Sequence, residues 1–173
     1  MQLLVLRLDY RASNQIEYLQ QQGQMAALQT VKALPPHISL QSFEGANPLD
    51  LKAAVAQLAE GAKAIPLTFG SLGFFKQKGT FYASPTVTPA LSVLHQTINL
   101  ATRDFFGQQA YYQPGSWVPH GTIVNNIAAP FWGPMFARLS MEFEPFAGKA
   151  IALECWSIVN GKTATDWSIF LAE

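Results

Sequence analysis

The sequence has a single cysteine, Cys155, so no internal disulfide can form and no thiolate cluster is available to a metal. It is also poor in charge. Eleven Lys and Arg balance eleven Asp and Glu, which excludes a surface built to displace the counterions of a long nucleic acid. A small phosphate ester or a nucleic-acid end stays compatible. The charge-free stretches Gly79 to Thr102 and Phe105 to Ala137 exceed a membrane span in length, but prolines, a histidine each and many Gln, Asn and Thr residues interrupt them. Neither reads as transmembrane, and no membrane partner is expected. The run Leu3-Leu-Val-Leu6 is too short for a signal-peptide core and is followed at once by Arg7 and Asp9, so it reads as a first strand. A cytoplasmic protein with a buried, inert thiol at Cys155 is the expectation.

What is present in quantity is apolar side chain. Over 173 residues, 49% are hydrophobic and 13% charged, which excludes disorder and suits one compact domain over 1–173, built as two small lobes that share a core.

Hydrophobic spacing and turn residues divide the chain. Strands are expected at Leu3 to Asp9, His37 to Phe43, Ile65 to Phe69, Thr80 to Ala83, Trp117 to Ile127, Ala150 to Val159 and Thr165 to Leu171. Helices are expected at Asn14 to Leu28, Pro48 to about Gly61, Thr88-Pro89 to Phe105 and Met135 to Phe143. Gly70, Gly73 and Gly79 read as a link between two hairpin strands, and Asn160-Gly161 as a second hairpin turn. Helices interleaved with strands in hairpins predict an α+β fold.

One long-range echo carries chemistry. Pro36-His-Ile-Ser-Leu40 and Pro119-His-Gly-Thr-Ile123 share the pattern Pro-His-x-Ser/Thr-aliphatic, each opening a strand. Alternate strand side chains share a face, so His37 goes with Ser39, and His120 with Thr122, while Ile38 and Leu40 face a core. If the echo reflects two lobes about a pseudo-twofold axis, the two imidazole and hydroxyl pairs face each other across a cleft. One neutral imidazole can then take a proton from an attacking oxygen and one imidazolium can protonate the leaving oxygen. The hydroxyls of Ser39 and Thr122 would donate to the non-bridging phosphate oxygens, where charge develops. A metal centre is disfavoured, because there is no third histidine on a site strand and no carboxylate beside either motif. His95-Gln-Thr97 repeats the bare His-x-Thr pattern, but Leu94 precedes it and the residues lie in a helical stripe, where i and i+2 diverge. It reads as structural.

With these residues in view, the two motifs, their order and their placement at strands resemble the 2H phosphoesterase superfamily, which includes bacterial 2′-5′ RNA ligase-like proteins. The segment Phe69-Gly-Ser-Leu-Gly-Phe-Phe75 is similar to the strand and Gly/Phe turn between that family's motifs, so the resemblance covers most of the chain. It implies a bilobal fold of two pseudo-symmetric lobes, mainly antiparallel sheet with outer helices and a central cleft. It also implies a metal-independent, cofactor-free cyclic phosphodiesterase acting on 2′,3′-cyclic or 2′-5′ nucleotide phosphodiesters, with reverse 2′-5′ RNA ligation at the same site. The substrate would be a small nucleotide or RNA terminus, with His37 and His120 catalytic and Ser39 and Thr122 binding phosphate.

Ser39 stands where Thr is commoner in that family, and it keeps the donor. Neither motif has a Lys or Arg beside it, leaving Lys76, Lys78 and Arg103 as candidate cations. Among the aromatics that could stack a base (Phe74, Phe75, Tyr82, Trp117 and Trp156), Phe75 and Trp117 lead by their nearness to a motif or turn. The competing expectation is a non-catalytic module that binds a nucleotide or RNA end. Oligomeric state is left open.

Overall fold

A computed structural model describes residues 1–27, 34–160 and 162–173. It contains β1 (Gln2–Leu8), α1 (Tyr10–Ala27), β2 (His37–Phe43), α2 (Pro48–Glu60), β3 (Ile65–Phe75), β4 (Thr80–Pro85), α3 (Pro89–Ala101), β5 (Gly121–Val124), α4 (Trp132–Glu142), β6 (Phe146–Val159) and β7 (Lys162–Phe170). The fold is α+β, with every strand pair antiparallel. The expected helix end at Leu28 and the second turn residue, Gly161, lie outside the described residues.

Strand β6 is long because it serves two arms. Its later part pairs with β1 and β7, giving the order β2-β1-β6-β7; its first residues pair with β3, giving β5-β4-β3-β6. Each motif lies on the outer strand of one arm. The two outer strands meet through the Cα partners Ile38 and Gly121, the midpoints of the two His-x-Ser/Thr motifs. The pseudo-twofold expected from the sequence is therefore a β-sheet contact. Helices α2 and α3 back the first arm, and α1 and α4 back the second.

Local chemistry explains most boundaries. Asn47 caps α2 by accepting from the Leu49 amide at 2.8 Å, and Pro48 supplies the first helical turn. Thr88 caps α3 in the same way at 3.3 Å, again before a proline. Helix α1 begins four residues earlier than Asn14, because the Asp9 carboxylate accepts from the Ala12 amide at 2.9 Å. Gln20 of α1 donates to the carbonyls of Leu34 and Thr122, at 3.1 and 3.2 Å, and so ties the approach to one motif to the strand of the other.

Two expectations are corrected. The Gly-rich link is strand: β3 runs on to Phe75, with Gly73 opposite Tyr82, whose ring occupies the space that a Gly73 side chain would need. Residues 117–120 are not strand, since Pro119 has no N–H for a ladder, and β5 starts only at Gly121.

The turn between β3 and β4 requires Gly79. Its φ is +55°, and a Cβ there would collide with the Ile127 carbonyl. Gly79→Ala is expected to lower stability by about 2 to 4 kcal/mol, read from urea unfolding, because the strained dihedral and the backbone clash add.

Candidate functional site

His37 opens β2, and His120 immediately precedes β5. The chain treats both rings alike. Nδ1 of His37 donates to the carbonyl of Pro35, and Nδ1 of His120 to that of Val118, each at 2.7 Å. In both cases the acceptor lies two residues back, with a proline between. A residue before proline is held extended, which fixes where its carbonyl points. With Nδ1 committed as donor, the neutral ring keeps its lone pair on Nε2. The Pro in each motif thus sets the tautomer as well as the strand start.

The rings differ in setting. His37 is buried and meets the indole of Trp156 edge-on, with centroids 4.7 Å apart. Burial, partly opposed by the Pro35 hydrogen bond and helped by the nearby His120, pushes its pKa down from 6.5 to about 4. His120 is partly exposed and packs against Phe75 and Tyr82; its pKa is also lowered, by burial.

This shift makes a stability prediction. Below about pH 6.5 the unfolded chain protonates His37 while the folded chain does not until about pH 4, so stability falls as the pH drops through that window. Between pH 7 and 4.5, His37→Asn is expected to lose roughly 2 to 3 kcal/mol less than the parent, measured by urea unfolding at both values.

Trp156 is itself held. Its Nε1 donates to the buried Glu154 carboxylate at 2.8 Å; that carboxylate also accepts from the Ser168 hydroxyl at 3.0 Å and pairs with Arg7 at 3.1 Å. Arg7 in turn lies 4.8 Å above the Phe170 ring. This chain of contacts supports the His37 ring from the sheet beneath it.

Ser39 and Thr122 lie where the alternation placed them. Both line the smaller of two cavities that adjoin at His120 and Thr122, and His37 lines that smaller one as well. The larger, about 320 Å³, opens beside His120 and Thr122 and is bordered by Phe75, Trp117, Tyr111 and Lys78. A cleft of that volume is within the range of small-ligand sites. Of the three candidate cations, Lys78 borders this cavity, whereas Lys76 and Arg103 are not among its described lining residues. Arg103 is exposed and pairs with Asp104 at 3.7 Å.

The aromatics have distinct places. Phe75 stacks one face on Tyr82, at 4.3 Å between centroids, and borders the larger cavity. Trp117 also borders it, but its ring is stacked on His95 at 3.8 Å and its Nε1 donates to the Ser39 carbonyl at 2.9 Å. Phe74 packs inward on Phe81 and Trp132. His95 is buried behind the site, where Nε2 donates to the Tyr112 carbonyl at 2.9 Å. Cys155 is buried in the core, and burial pushes its thiol up to about 12.

Sequence reasoning missed two polar groups at the cleft. Tyr112, in a short 3-10 turn, lines both cavities, and burial pushes the pKa of its phenol up while the neighbouring Ser39 side chain pulls it down. Only the fold brings this distant turn to β2. Ser42 also lines the smaller cavity. By simple alternation it would share the core face of Ile38 and Leu40, but the register jumps from Val5 opposite Ser39 to Leu4 opposite Gln41, leaving Leu40 as an extra residue. That bulge turns Gln41 toward Asn99 and Gln108, 3.0 and 3.3 Å away, and Ser42 toward the cleft.

Among the described residues no three His, Cys, Asp or Glu side chains gather as a metal site would need. No described helix is long and apolar enough to cross a membrane.

Comparison with known proteins places this geometry. The family model of the 2′-5′ RNA ligase superfamily matches residues 8–162. Solved structures share the fold at low identity. E. coli LigT in its apo form is 15% identical, with a TM-score of 0.65 over 99% of this chain and 97% of its own. LigT complexed with 3′-AMP is 13% identical, with a TM-score of 0.66 over 99% and 98%. A Thermus thermophilus protein is 15% identical, with a TM-score of 0.67 over 98% and 97%. No curated protein sequence matches.

Proposed function

Because the chain belongs to the 2′-5′ RNA ligase superfamily, we propose that its cleft is the active site of a metal-independent phosphodiesterase for 2′,3′-cyclic or 2′-5′ nucleotide esters. The observation that carries this reading is the pairing of Ile38 with Gly121, which sets the two histidines and two hydroxyls about one axis.

His37 is the general base. Burial keeps it neutral at pH 7, and its Nδ1 hydrogen bond leaves Nε2 free to take a proton. His120, the more exposed ring, is the general acid. Water loses its proton to His37 and attacks phosphorus; the bond to one ribose oxygen breaks, and that oxygen takes a proton from His120. A 5′-hydroxyl in place of water would give the 2′-5′ linkage by the same steps. Ser39 and Thr122 hydrogen-bond the non-bridging oxygens as charge builds there. Lys78, which borders the larger cavity, is the candidate cation for the phosphate, and Phe75 offers a face to the base. That LigT is known in complex with 3′-AMP supports a nucleotide of this size.

The test is turnover of the four 2′,3′-cyclic mononucleotides and of short 2′-5′ oligonucleotides with EDTA present. Hydrolysis that survives the chelator is expected. Binding of 3′-AMP without turnover of any member would assign the cleft to a binding module instead.

A further inference from the structure

Two cavities that share His120 and Thr122, with His37 on the smaller one alone, raise the question of what fills the second. Its volume is about 190 Å³, against about 320 Å³ for the first. His37 and Ser39 line it and not its neighbour, so it lies on the far side of the reacting centre from Phe75 and Trp117. Its walls away from the histidines are apolar, from Leu3, Leu34 and Ile158, and no Lys, Arg, Asp or Glu is among its described lining residues.

Tyr111, Tyr112 and Asn125 are shared with the larger cavity, and beyond them and the two motifs one polar side chain among the described residues lines the smaller one. Ser42 is 3% exposed, and among the described residues its Oγ has no hydrogen-bond partner. A buried hydroxyl left unpaired is costly and calls for an explanation. The bulge at Leu40 deepens the question, because without it Ser42 would face the core and Gln41 the cleft. Bulges beside functional sites serve to re-aim side chains in this way.

We propose that the smaller cavity is a subsite for a second ester substituent, a small and mainly apolar alcohol whose one polar atom pairs with the Ser42 hydroxyl. The preferred substrate is then a diester with a nucleoside on one side of the phosphate and this alcohol on the other, and a cyclic mononucleotide leaves the subsite empty. The proposal rests on reading the cleft as a phosphodiester site.

The test uses esters of 2′-deoxyadenosine 3′-phosphate, which lack the 2′-hydroxyl needed to cyclise, and chromatography after each titration checks that water has not hydrolysed them. Methyl, n-butyl and 3-hydroxypropyl esters carry the same charge, and the last two have the same length. By calorimetry the parent should bind the n-butyl ester at least about tenfold more tightly than the methyl ester, since three more methylenes leave water. It should bind the 3-hydroxypropyl ester as tightly as the n-butyl ester. In Ser42→Ala the hydroxypropyl ester should fall about tenfold behind the n-butyl ester, with the methyl ester unchanged and the unfolding midpoint no lower than in the parent. Equal binding of methyl and n-butyl esters by the parent would overturn the subsite alone. An unaltered hydroxypropyl affinity in Ser42→Ala would overturn the role of Ser42. Failure of every ester, the methyl one included, would overturn the phosphodiester reading and the subsite with it.

Discussion

Replacing either His37 or His120 by alanine is expected to reduce turnover of a cyclic nucleotide by about 10²- to 10⁴-fold, the range that a positioned acid or base contributes. The two losses should not multiply in the double variant, because base and acid act in one displacement and removing either stalls it. The folding consequences differ. His37 is buried against Trp156, so His37→Ala also opens a cavity, whereas His120 is partly exposed and its loss should barely move the unfolding midpoint. His37→Asn keeps much of the volume and a donor toward the Pro35 carbonyl, and it separates the chemical loss from the structural one. Rates of both alanine variants within threefold of the parent would remove the histidines from the mechanism.

The second large effect is expected at Glu154. Its carboxylate is buried and holds Arg7, Trp156 and Ser168 together. Glu154→Ala leaves the indole N–H without its acceptor in the interior, and the guanidinium without its counter-ion. Breaking a buried pair from one side costs about 3 to 5 kcal/mol, and the lower end applies because Arg7 keeps partial access to water. Glu154→Gln retains an acceptor for the indole and should lose less, while both variants should loosen Trp156 and with it His37. Urea unfolding reads the first effect, and a shift in the acidic limb of the rate profile reads the second. A change below 1 kcal/mol in Glu154→Ala would show that the network carries little.

How far these features were legible in the chain follows from how local their causes are. The faces of His37, Ser39, His120 and Thr122 could be read because two-residue alternation holds over so short a span. Ser42 could not, since the bulge at Leu40 exists only against the register of β1. The start of α1 had a signal in Asp9, whose carboxylate accepts from the Ala12 amide, but the apolar spacing alone pointed to a later start. The glycines of Phe69 to Phe75 suggested a turn, but the segment is strand, and Gly73 allows close approach there, under the Tyr82 ring. Tyr112 and the support of His37 by Trp156 and Glu154 join segments far apart in sequence, and no local pattern announces them. His95 lies on α3, as its helical spacing suggested, yet its stacking on Trp117 and its hydrogen bond to the Tyr112 carbonyl place it directly behind the cleft wall.

The central claim is that His37 takes a proton and His120 gives one, as a pair without a metal. Because burial lowers both pKa values, the reactive form is most populated below the ordinary imidazole pKa of 6.5. The most direct measurement is the pH dependence of kcat/KM for the best cyclic nucleotide, in EDTA, from pH 4 to 9. A bell is predicted, with an acidic limb that belongs to the depressed pKa of His37 and is lost in His37→Asn. A flat profile, or activity that the chelator abolishes, would contradict it.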